Sequence, residues 1–414
     1  MLARIYAARG VRESDDLDLS LKALHPPELL HGVDRAVARL MQALQTDERI
    51  LIVGDFDADG ATSTALAVDA LRACGARHVD YLVPNRFTYG YGLTPGIVAL
   101  ARERSPDLIV TVDNGVSSVD GVAAANAAGI DVLVTDHHLP GSQLPDAAVI
   151  LNPNLPQCQF PSKALAGVGV MFYLLMALRS RLRAVDWFRS RGLPELHLGK
   201  YLDLVALGTV ADVVPLDRNN RILVEAGLQR IRRGAARPGI AALLEVAGRD
   251  AGTCVTSDLG FAAGPRLNAA GRLDDMSRGI ECLMCPDPQR ARALALELDT
   301  MNRERQRIER DMETQALEAL AKFEALADVP AALVMFEAGW HQGVVGILAS
   351  RVKERYHRPV IAFARVGEGE LKGSGRSVAG LHLRDLLDTV ATQNPGLLDR
   401  FGGHAMAAGL SLNR

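Results

Sequence analysis

Arg49-Ile-Leu-Ile-Val-Gly-Asp-Phe-Asp-Ala-Asp-Gly60 is the stretch whose reading decides the fold. Ile50 to Val53 is an unbroken apolar run, the pattern of a strand buried on both faces. It ends at Gly54, and aspartates then alternate at Asp55, Asp57 and Asp59. From Gly60 the sequence Ala-Thr-Ser-Thr-Ala-Leu-Ala-Val-Asp-Ala-Leu reads as a helix. Strand, acidic turn and helix in this order place charge at the carboxyl end of a parallel sheet, where open α/β folds bind ligands. Carboxylates this close repel unless something cationic lies between them, and a divalent metal meets that need.

Two other readings of the stretch compete. Asp55-x-Asp57-x-Asp59-Gly60 matches the first half of an EF-hand calcium loop, but the twelfth position is Leu66, where a bidentate glutamate is needed. A buried strand also stands where an EF-hand has its first helix. The blander alternative is a solvated acidic turn, and the stretch by itself does not separate it from a metal site.

Working outward, the chain continues as alternating strands and helices. Strands are predicted near 50–54, 79–83, 108–112, 131–135 and 148–151, and helices near 60–74, 95–104, 118–128 and 163–182. This βαβ series implies a mostly parallel sheet with helices on both faces. Residues 1–48 read as a polar, helical and partly loop-like segment with a break at Pro26-Pro27. Residues 197–250 read as helical, and 252–276, rich in Gly and Ala, as loop. Residues 288–327 carry helical spacing over about 60 Å, the length of a connecting strut rather than a core helix. A second α/β unit follows, with strands near 331–336, 359–364 and 371–376 and a helix near 343–356. The expected domains are therefore 1–48, a metal-binding domain over 49–225, a helical region over 226–328 and a smaller α/β domain over 329–414.

A chain of 414 residues needs more than one core. Its 48% hydrophobic and 23% charged residues are those of a globular protein. A net charge of −3 gives no global sign of a nucleic-acid partner, so any such surface must be a local basic patch. The longest uncharged apolar stretch, Ala164 to Leu178, is too short to span a membrane and reads as a buried helix. The N-terminus lacks the apolar core of a signal peptide. Five cysteines suit a reducing cytoplasm, and the lone Cys282-x-x-Cys285 has no second pair to complete a zinc site.

Further polar clusters stand at the ends of apolar segments. Asp107-Leu-Ile-Val-Thr-Val112 leads into Asp113-Asn114-Gly115, and Asp131-Val-Leu-Val-Thr135 into Asp136-His137-His138. Leu202 to Val210 leads into Ala211-Asp212-Val213. Neighbouring parallel strands share a direction, so such tips converge on one rim. Asp55, Asp57, Asp113 and Asp212 bring four negative charges and His137 a neutral donor, a set that two divalent ions balance. Mixed carboxylate and imidazole ligation suits Mn²⁺ better than calcium. Water held between two such ions becomes hydroxide-like near neutral pH and attacks phosphorus in line. No GxxxxGK[ST] loop is present, which disfavours nucleotide-driven work.

Together these residues resemble the successive motifs of the DHH phosphoesterase superfamily. Gly54-Asp-Phe-Asp-Ala-Asp-Gly60, Val112-Asp-Asn-Gly115, Asp136-His-His138 and Leu207-Gly-Thr-Val-Ala-Asp-Val213 stand in the right order. Gly402-Gly-His-Ala-Met-Ala-Ala-Gly409 resembles the glycine-rich motif of the DHH-associated second domain. Asn85-Arg-Phe-Thr-Tyr-Gly-Tyr-Gly92, Arg266-Leu-Asn-Ala-Ala-Gly-Arg-Leu273 and Gly373-Ser-Gly-Arg-Ser377 are similar to the branch that degrades single-stranded DNA from its 5′ end. Leu51 stands where the pyrophosphatases of the superfamily carry a histidine, which also fits the nuclease branch.

The resemblance implies two divalent ions, Mn²⁺ preferred or Mg²⁺, held by Asp55, Asp57, Asp113, His137 and Asp212, with Asp113 bridging. It implies that Asp136 orients His137 and that His138 faces the scissile phosphate as charge stabiliser or leaving-group acid. Arg86, Ser374 and Arg376 would hold the 5′-terminal phosphate, as a guanidinium grips phosphate through two parallel hydrogen bonds. Gly402, Gly403 and His404 would approach the substrate from the second domain, and Asn268 and Arg272 would lie near the scissile bond. Tyr89 and Tyr91 read either as stacking platforms for bases or as turn packing. The implied activity is 5′→3′ hydrolysis of single-stranded DNA to 5′-mononucleotides in DNA repair and recombination. The implied setting is a cytoplasmic monomer, with a single-strand-binding protein and a helicase as partners. Family members normally continue past the Gly-Gly-His motif into an oligonucleotide-binding barrel, so a sequence ending at Arg414 reads as the catalytic core. The rivals are a phosphodiesterase of the same superfamily acting on short oligoribonucleotides, cyclic dinucleotides or bisphosphorylated nucleotides, and a non-catalytic scaffold with eroded motifs.

Overall fold

The structure, a computed structural model, describes residues 1–8, 11–85, 89, 91–324, 330–366 and 369–413, without the side chains of 14–15, 319–324 and 413. The chain divides into two compact units, Met1–Met301 and Asn302–Arg414.

In the first unit the apolar runs form five strands, β1 (Ile50–Gly54), β2 (Val79–Leu82), β3 (Leu108–Val112), β4 (Asp131–Thr135) and β5 (Val149–Leu151). Every pairing among them is parallel, in the order β2-β1-β3-β4-β5. Parallel strands need crossovers, and helices supply them from β1 through β4, while β4 and β5 are joined without one. After α1 (Val33–Thr46) come α2 (Ala58–Ala73), α3 (Pro95–Arg102), α4 (Val119–Ala127), α5 (Gly167–Ala184) and α6 (Leu202–Ala211). Side chains alternate across each strand. Ile50, Ile52, Leu108, Val110 and Leu133 pack in the core that contains α2 and α5. Leu51, Val53, Ile109, Val132 and Val134 face Ile97 of α3 and Val122 of α4. Both faces are covered, as the unbroken apolar runs require.

The strand order reverses between β1 and β3, since the chain winds from β1 outward to β2 and then returns to β3 on the other side. A sheet that reverses in this way opens a crevice beyond the carboxyl ends of the two strands. Asp55 follows β1 and Asp113 follows β3, so two of the predicted ligands flank it.

Residues 252–276 differ from the expected loop. Thr256–Asp258 is helical, Leu259–Ala263 is a π-helical turn, and α7 (Gly264–Leu273) follows. Glycine argues against a helix in isolation, but here it permits close packing. A Cβ on Gly271 would lie 1.8 Å from the Phe56 carbonyl oxygen. The predicted strut is α8 (Pro288–Glu324).

The second unit holds a mixed sheet, β6 (Leu333–Phe336), β7 (Val360–Val366), β8 (Glu370–Arg376), β9 (Arg400–Gly403) and β10 (Ala407–Asn413), in the order β6-β7-β8-β10-β9. Strands β6 and β7 run parallel, and the other described pairings are antiparallel. Helix α9 (Val345–Tyr356) packs Val345, Leu348, Ala349 and Val352 on one face. Leu383 and Leu387 of α10 (Leu383–Gln393) pack on the other. No described helix is long and apolar enough to cross a membrane.

Candidate metal centre

The acidic turn is organised by backbone hydrogen bonds. Asp57 is the N-cap of α2, its Oδ1 accepting from the Gly60 amide at 2.9 Å. Asp55 is buried, with Oδ1 accepting from the Phe56 amide at 2.8 Å. Asn268 of α7 accepts from the Ala58 amide at 2.7 Å, satisfying another orphan donor of the first turn of α2. Its carbonyl oxygen is thus committed to shaping the turn.

At the neighbouring tip, Asp113 adopts φ +63°, a left-handed conformation that aspartate tolerates better than most residues. Asn114 stitches the two tips together, its Nδ2 donating to the carbonyls of Val53 at 3.0 Å and Val112 at 2.9 Å. Asp212 caps the end of α6. The residue after it, Val213, takes φ +62° while 84% exposed, an outlier for a β-branched side chain.

Asp136 lies in contact with both histidines, but not as expected. Its Oδ1 accepts the His137 amide at 2.7 Å and meets Nδ1 of the His138 ring at 2.7 Å, while Oδ2 accepts the Val116 amide at 2.8 Å. The ring it orients is therefore that of His138, and the expectation for His137 is corrected: His137 is the residue that turns Nε2 toward the acids. That nitrogen lies 3.1 Å from Asp113 Oδ1 and 3.5 Å from Asp212 Oδ2. Asp55, Asp57 and Asp113 form one cluster with ligand atoms within 4.8 Å of one another, and Asp59, His137 and Asp212 a second.

The charges respond to this crowding. Burial and then the neighbouring aspartates push the Asp113 carboxyl well above its ordinary range. Burial and the charges of Asp59 and Asp57 raise Asp212 to about 9. Burial and His138 bring His137 down to about 4, leaving a neutral imidazole. For His138 burial works downward, but the hydrogen bond and charge of Asp136 win and raise it to about 9. The Tyr91 hydroxyl lies 3.2 and 3.3 Å from the two nitrogens of the His138 ring.

These residues fit a divalent cation. Asp113 Oδ1 and His137 Nε2 are both buried and lack a hydrogen-bond partner among the described residues. Although only 3.1 Å apart, they do not meet in hydrogen-bonding geometry. Buried polar atoms are normally satisfied. Two lone-pair donors aimed into one acidic space are the arrangement a metal ion resolves.

Three contributors were not assigned from the sequence. Asn114 ties β1 to β3. Asp59 is buried and accepts the amides of Gly167 at 2.7 Å and Val168 at 3.0 Å, capping α5 from a distant part of the chain. Gly167 itself is so close to Asp113 that a Cβ there would lie 2.6 Å from Oδ1. The third alternating aspartate was the visible signal for Asp59, but its partners lie 108 and 109 positions away.

Of the remaining predicted site residues, Arg272 lies in the last turn of α7, four positions after Asn268 and hence on the same side. Tyr89 packs against the core under α3 and α4, which favours the turn-packing reading for it. Arg86 lies outside the described residues. In the second unit Ser374 and Arg376 are on β8, Gly402 and Gly403 on β9, and His404 follows. Gly409 of β10 pairs with Ser374 on one side and Gly402 on the other, so these positions form one row across the sheet. Arg376 is half-buried without a carboxylate partner among the described residues: Nε donates to Ser350 Oγ at 3.1 Å, and Nη1 to Ser374 Oγ at 3.0 Å and the Gly375 carbonyl at 2.8 Å.

Comparison with known proteins gives this geometry its family. Residues 49–209 match the DHH family, N-terminal domain, and residues 328–414 the DHHA1 domain. Over 413 residues the chain is 62% identical to the single-stranded-DNA-specific exonuclease RecJ of Dickeya dadantii (strain 3937), aligning 100% of this chain with 72% of that one. The chain belongs to the RecJ family of single-stranded-DNA-specific exonucleases. RecJ from Thermus thermophilus in complex with Mn²⁺ superposes with a TM-score of 0.81 at 36% identity, over 99% of this chain and 55% of that one. Its complex with Mg²⁺ gives 0.72 at 34%, over 99% and 53%. This RecJ-family chain thus spans just over half the length of the Thermus protein. The α/β fold with a parallel DHH sheet and a second DHHA1 sheet accords with these matches.

Proposed function

We propose that this chain hydrolyses single-stranded DNA from the 5′ end, releasing 5′-mononucleotides, with two divalent ions held by Asp55, Asp57, Asp113, His137 and Asp212. The observation that carries the reading is the convergence of unpaired Asp113 Oδ1 and His137 Nε2 among buried acids at the switch point of the sheet. When bound, such ions supply a hydroxide-like water near neutral pH and neutralise charge on the phosphate.

The residues of the chain do the rest. Asp113 lies within both the aspartate cluster and the reach of His137, the position a bridging carboxylate needs. His138, kept protonated by Asp136, stands ready to stabilise the phosphate oxygens and to give its proton to the departing 3′ oxygen. Cleavage of the P–O3′ bond then leaves a new 5′-phosphate on the shortened strand. Arg272 and Asn268 share a face of α7, and the contact of Asn268 with the Ala58 amide supports placing both near the scissile bond. Ser374, Arg376, Gly402, Gly403 and His404, with Arg86, serve the terminal nucleotide and its phosphate. A half-buried guanidinium with no described acid partner supports this role for Arg376. Manganese is the preferred ion in this reading, since one ligand is imidazole. The proposed setting is a cytoplasmic monomer working in repair and recombination, on strands supplied by a helicase and coated by a single-strand-binding protein.

End-labelled single- and double-stranded DNA incubated with Mn²⁺, Mg²⁺ or chelator tests polarity, strandedness and metal need together. The expected result is metal-dependent shortening of single strands from the 5′ end. Preference for dinucleotides, or equal cleavage of duplex, would overturn the reading.

A further inference from the structure

The helical run from Thr256 to Leu273 is fastened at both ends to elements that carry the proposed metal ligands. Toward its start, Gly260 and Gly264 lie against the last residues of α6. A Cβ on Gly260 would stand 3.2 Å from Val210 Cγ1, and one on Gly264 3.1 Å from Ala211 Cβ. Asp212 follows directly. Toward its end, Asn268 accepts the Ala58 amide at 2.7 Å and Gly271 meets the Phe56 carbonyl, within the turn that bears Asp55 and Asp57. The run thus borders the metal centre from Asp212 to the acidic turn.

At the α6 end of this border the protein turns apolar side chains to solvent. Apart from the N-terminal methionine, Phe261 at 85% and Val213 at 84% are the two most exposed large hydrophobics among the described residues. They stand on the two sides of one joint, Phe261 beside Gly260 in the π-helical turn and Val213 directly after Asp212. Both backbones are unusual. A π turn is a form found often at functional sites, and Val213 holds φ +62°. Apolar residues scattered singly over a surface call for no explanation. The two most exposed of them at one joint, next to a proposed ligand, do.

Phe261 precedes Asn268 by seven residues, about 10 Å along a helix. An enzyme that removes every nucleotide in turn has no use for hydrogen bonds to particular base edges. Every base has a π face, so one aromatic ring serves all four. In a duplex those faces are already stacked on their neighbours, and only an unpaired strand offers them without an unstacking cost.

We propose that Phe261 is a stacking platform for a base of the single strand close to the scissile bond. This rests on the reading of the chain as a single-strand exonuclease, and it adds a contact by which unpaired DNA is favoured over paired. Continuity with the metal centre selects DNA as the occupant of this apolar joint.

The test measures kcat/KM for release of the first nucleotide in Mn²⁺ by the full chain, as wild type, Phe261→Ala and Phe261→Trp. The substrates are single strands that are intact or lack one base at successive positions from the 5′ end. The wild type is expected to lose about tenfold when the base at one position is missing, within the range for one base stacked on an aromatic ring. Phe261→Ala loses about as much on the intact strand and nothing more at that position, while base removal elsewhere acts on it as on the wild type. Phe261→Trp restores the rate. The melting temperature of Phe261→Ala is unchanged, since so exposed a side chain gives up little packing. An unchanged rate in Phe261→Ala overturns the inference, the result that a side chain covered by a protein partner would give. A loss in Phe261→Ala to which base removal adds in full at every position overturns it too. If the alanine variant is unstable, a wild type indifferent to each missing base has the same force. No metal-dependent hydrolysis of single strands by the wild type removes the functional reading and the inference with it.

Discussion

Asp59 illustrates how much a single carboxylate can hold in place at this centre. It sits beside the ligand cluster, yet both of its oxygens are taken by backbone amides of α5. Replacing it with alanine leaves two buried N–H groups without an acceptor, a loss of about 2–6 kcal/mol at about 1–3 kcal/mol for each unmet donor. Asp59→Ala is therefore expected to unfold at lower denaturant than Asp212→Ala, whose carboxylate lies at the end of a helix and is partly exposed. Equal midpoints for the two variants would mean that Asp59 does not brace α5. Val213 makes the opposite case. Its side chain is 84% exposed, so little packing is lost on replacement, and asparagine suits the left-handed backbone far better. Val213→Asn is expected to raise stability by about 1 kcal/mol in a chemical denaturation curve. A fall would show that the valine has a contact that outweighs its strain.

At the scale of elements, the centre depends on how closely helices approach the strand tips. Gly167, the first residue of α5, touches the Asp113 carboxylate. Gly167→Ala is expected to push that carboxylate aside and weaken Mn²⁺ binding about 10–100-fold, the range for disturbing groups that support metal ligands. A titration of Mn²⁺ by calorimetry checks this, and unchanged affinity would show that Asp113 has room to retreat. The strands of the first unit are legible because buried parallel strands write themselves as short apolar runs: 50–54, 108–112 and 131–135 agree to the residue. Of the proposed ligands, Asp55, Asp113 and His137 are legible because each stands just past such a run, whereas Asp57 caps α2 and Asp212 follows α6. What escapes depends on partners far away in the chain. The helical character of Thr256–Leu273 is hidden by glycines whose value lies in close approach, Gly271 to Phe56, Gly264 to Ala211 and Gly260 to Val210. Strands β9 and β10 are hidden in a Gly- and Ala-rich stretch with no alternating pattern. The pairing of Asp136 with the second histidine and not the first follows from the turn geometry after β4, which residue order does not encode.

Across the whole molecule, the ligand cluster is a reservoir of repulsion that protons or cations must relieve. A group whose folded-state pKa is raised keeps its proton in the native chain over a pH range where the unfolded chain has lost it. Stability then falls as pH rises toward the raised value. Asp212, raised to about 9, acts in this direction over the whole range from about 4 to 9. His138, also raised to about 9, adds the same sign above about 6.5. His137, lowered to about 4, has the opposite sign, but its window closes by about 6.5. The chain in chelator is therefore expected to melt at a lower temperature at pH 9 than at pH 7. Saturating Mn²⁺ should raise both values and narrow the gap, because cations take over the work of the protons. At a hundredfold excess over Kd the gain is about 2.7 kcal/mol. Melting temperatures in chelator that rise from pH 7 to pH 9 would mean that the acids are not held against their own charge. The strand order carries a last consequence, for engineering. The hollow between β1 and β3 exists because the winding turns back there, and no side chain has to carve it. Residues in the body of the sheet can therefore be exchanged for others of like volume, and the outlying segments after β2 and β5 recast, while the reaction chamber persists as a by-product of topology.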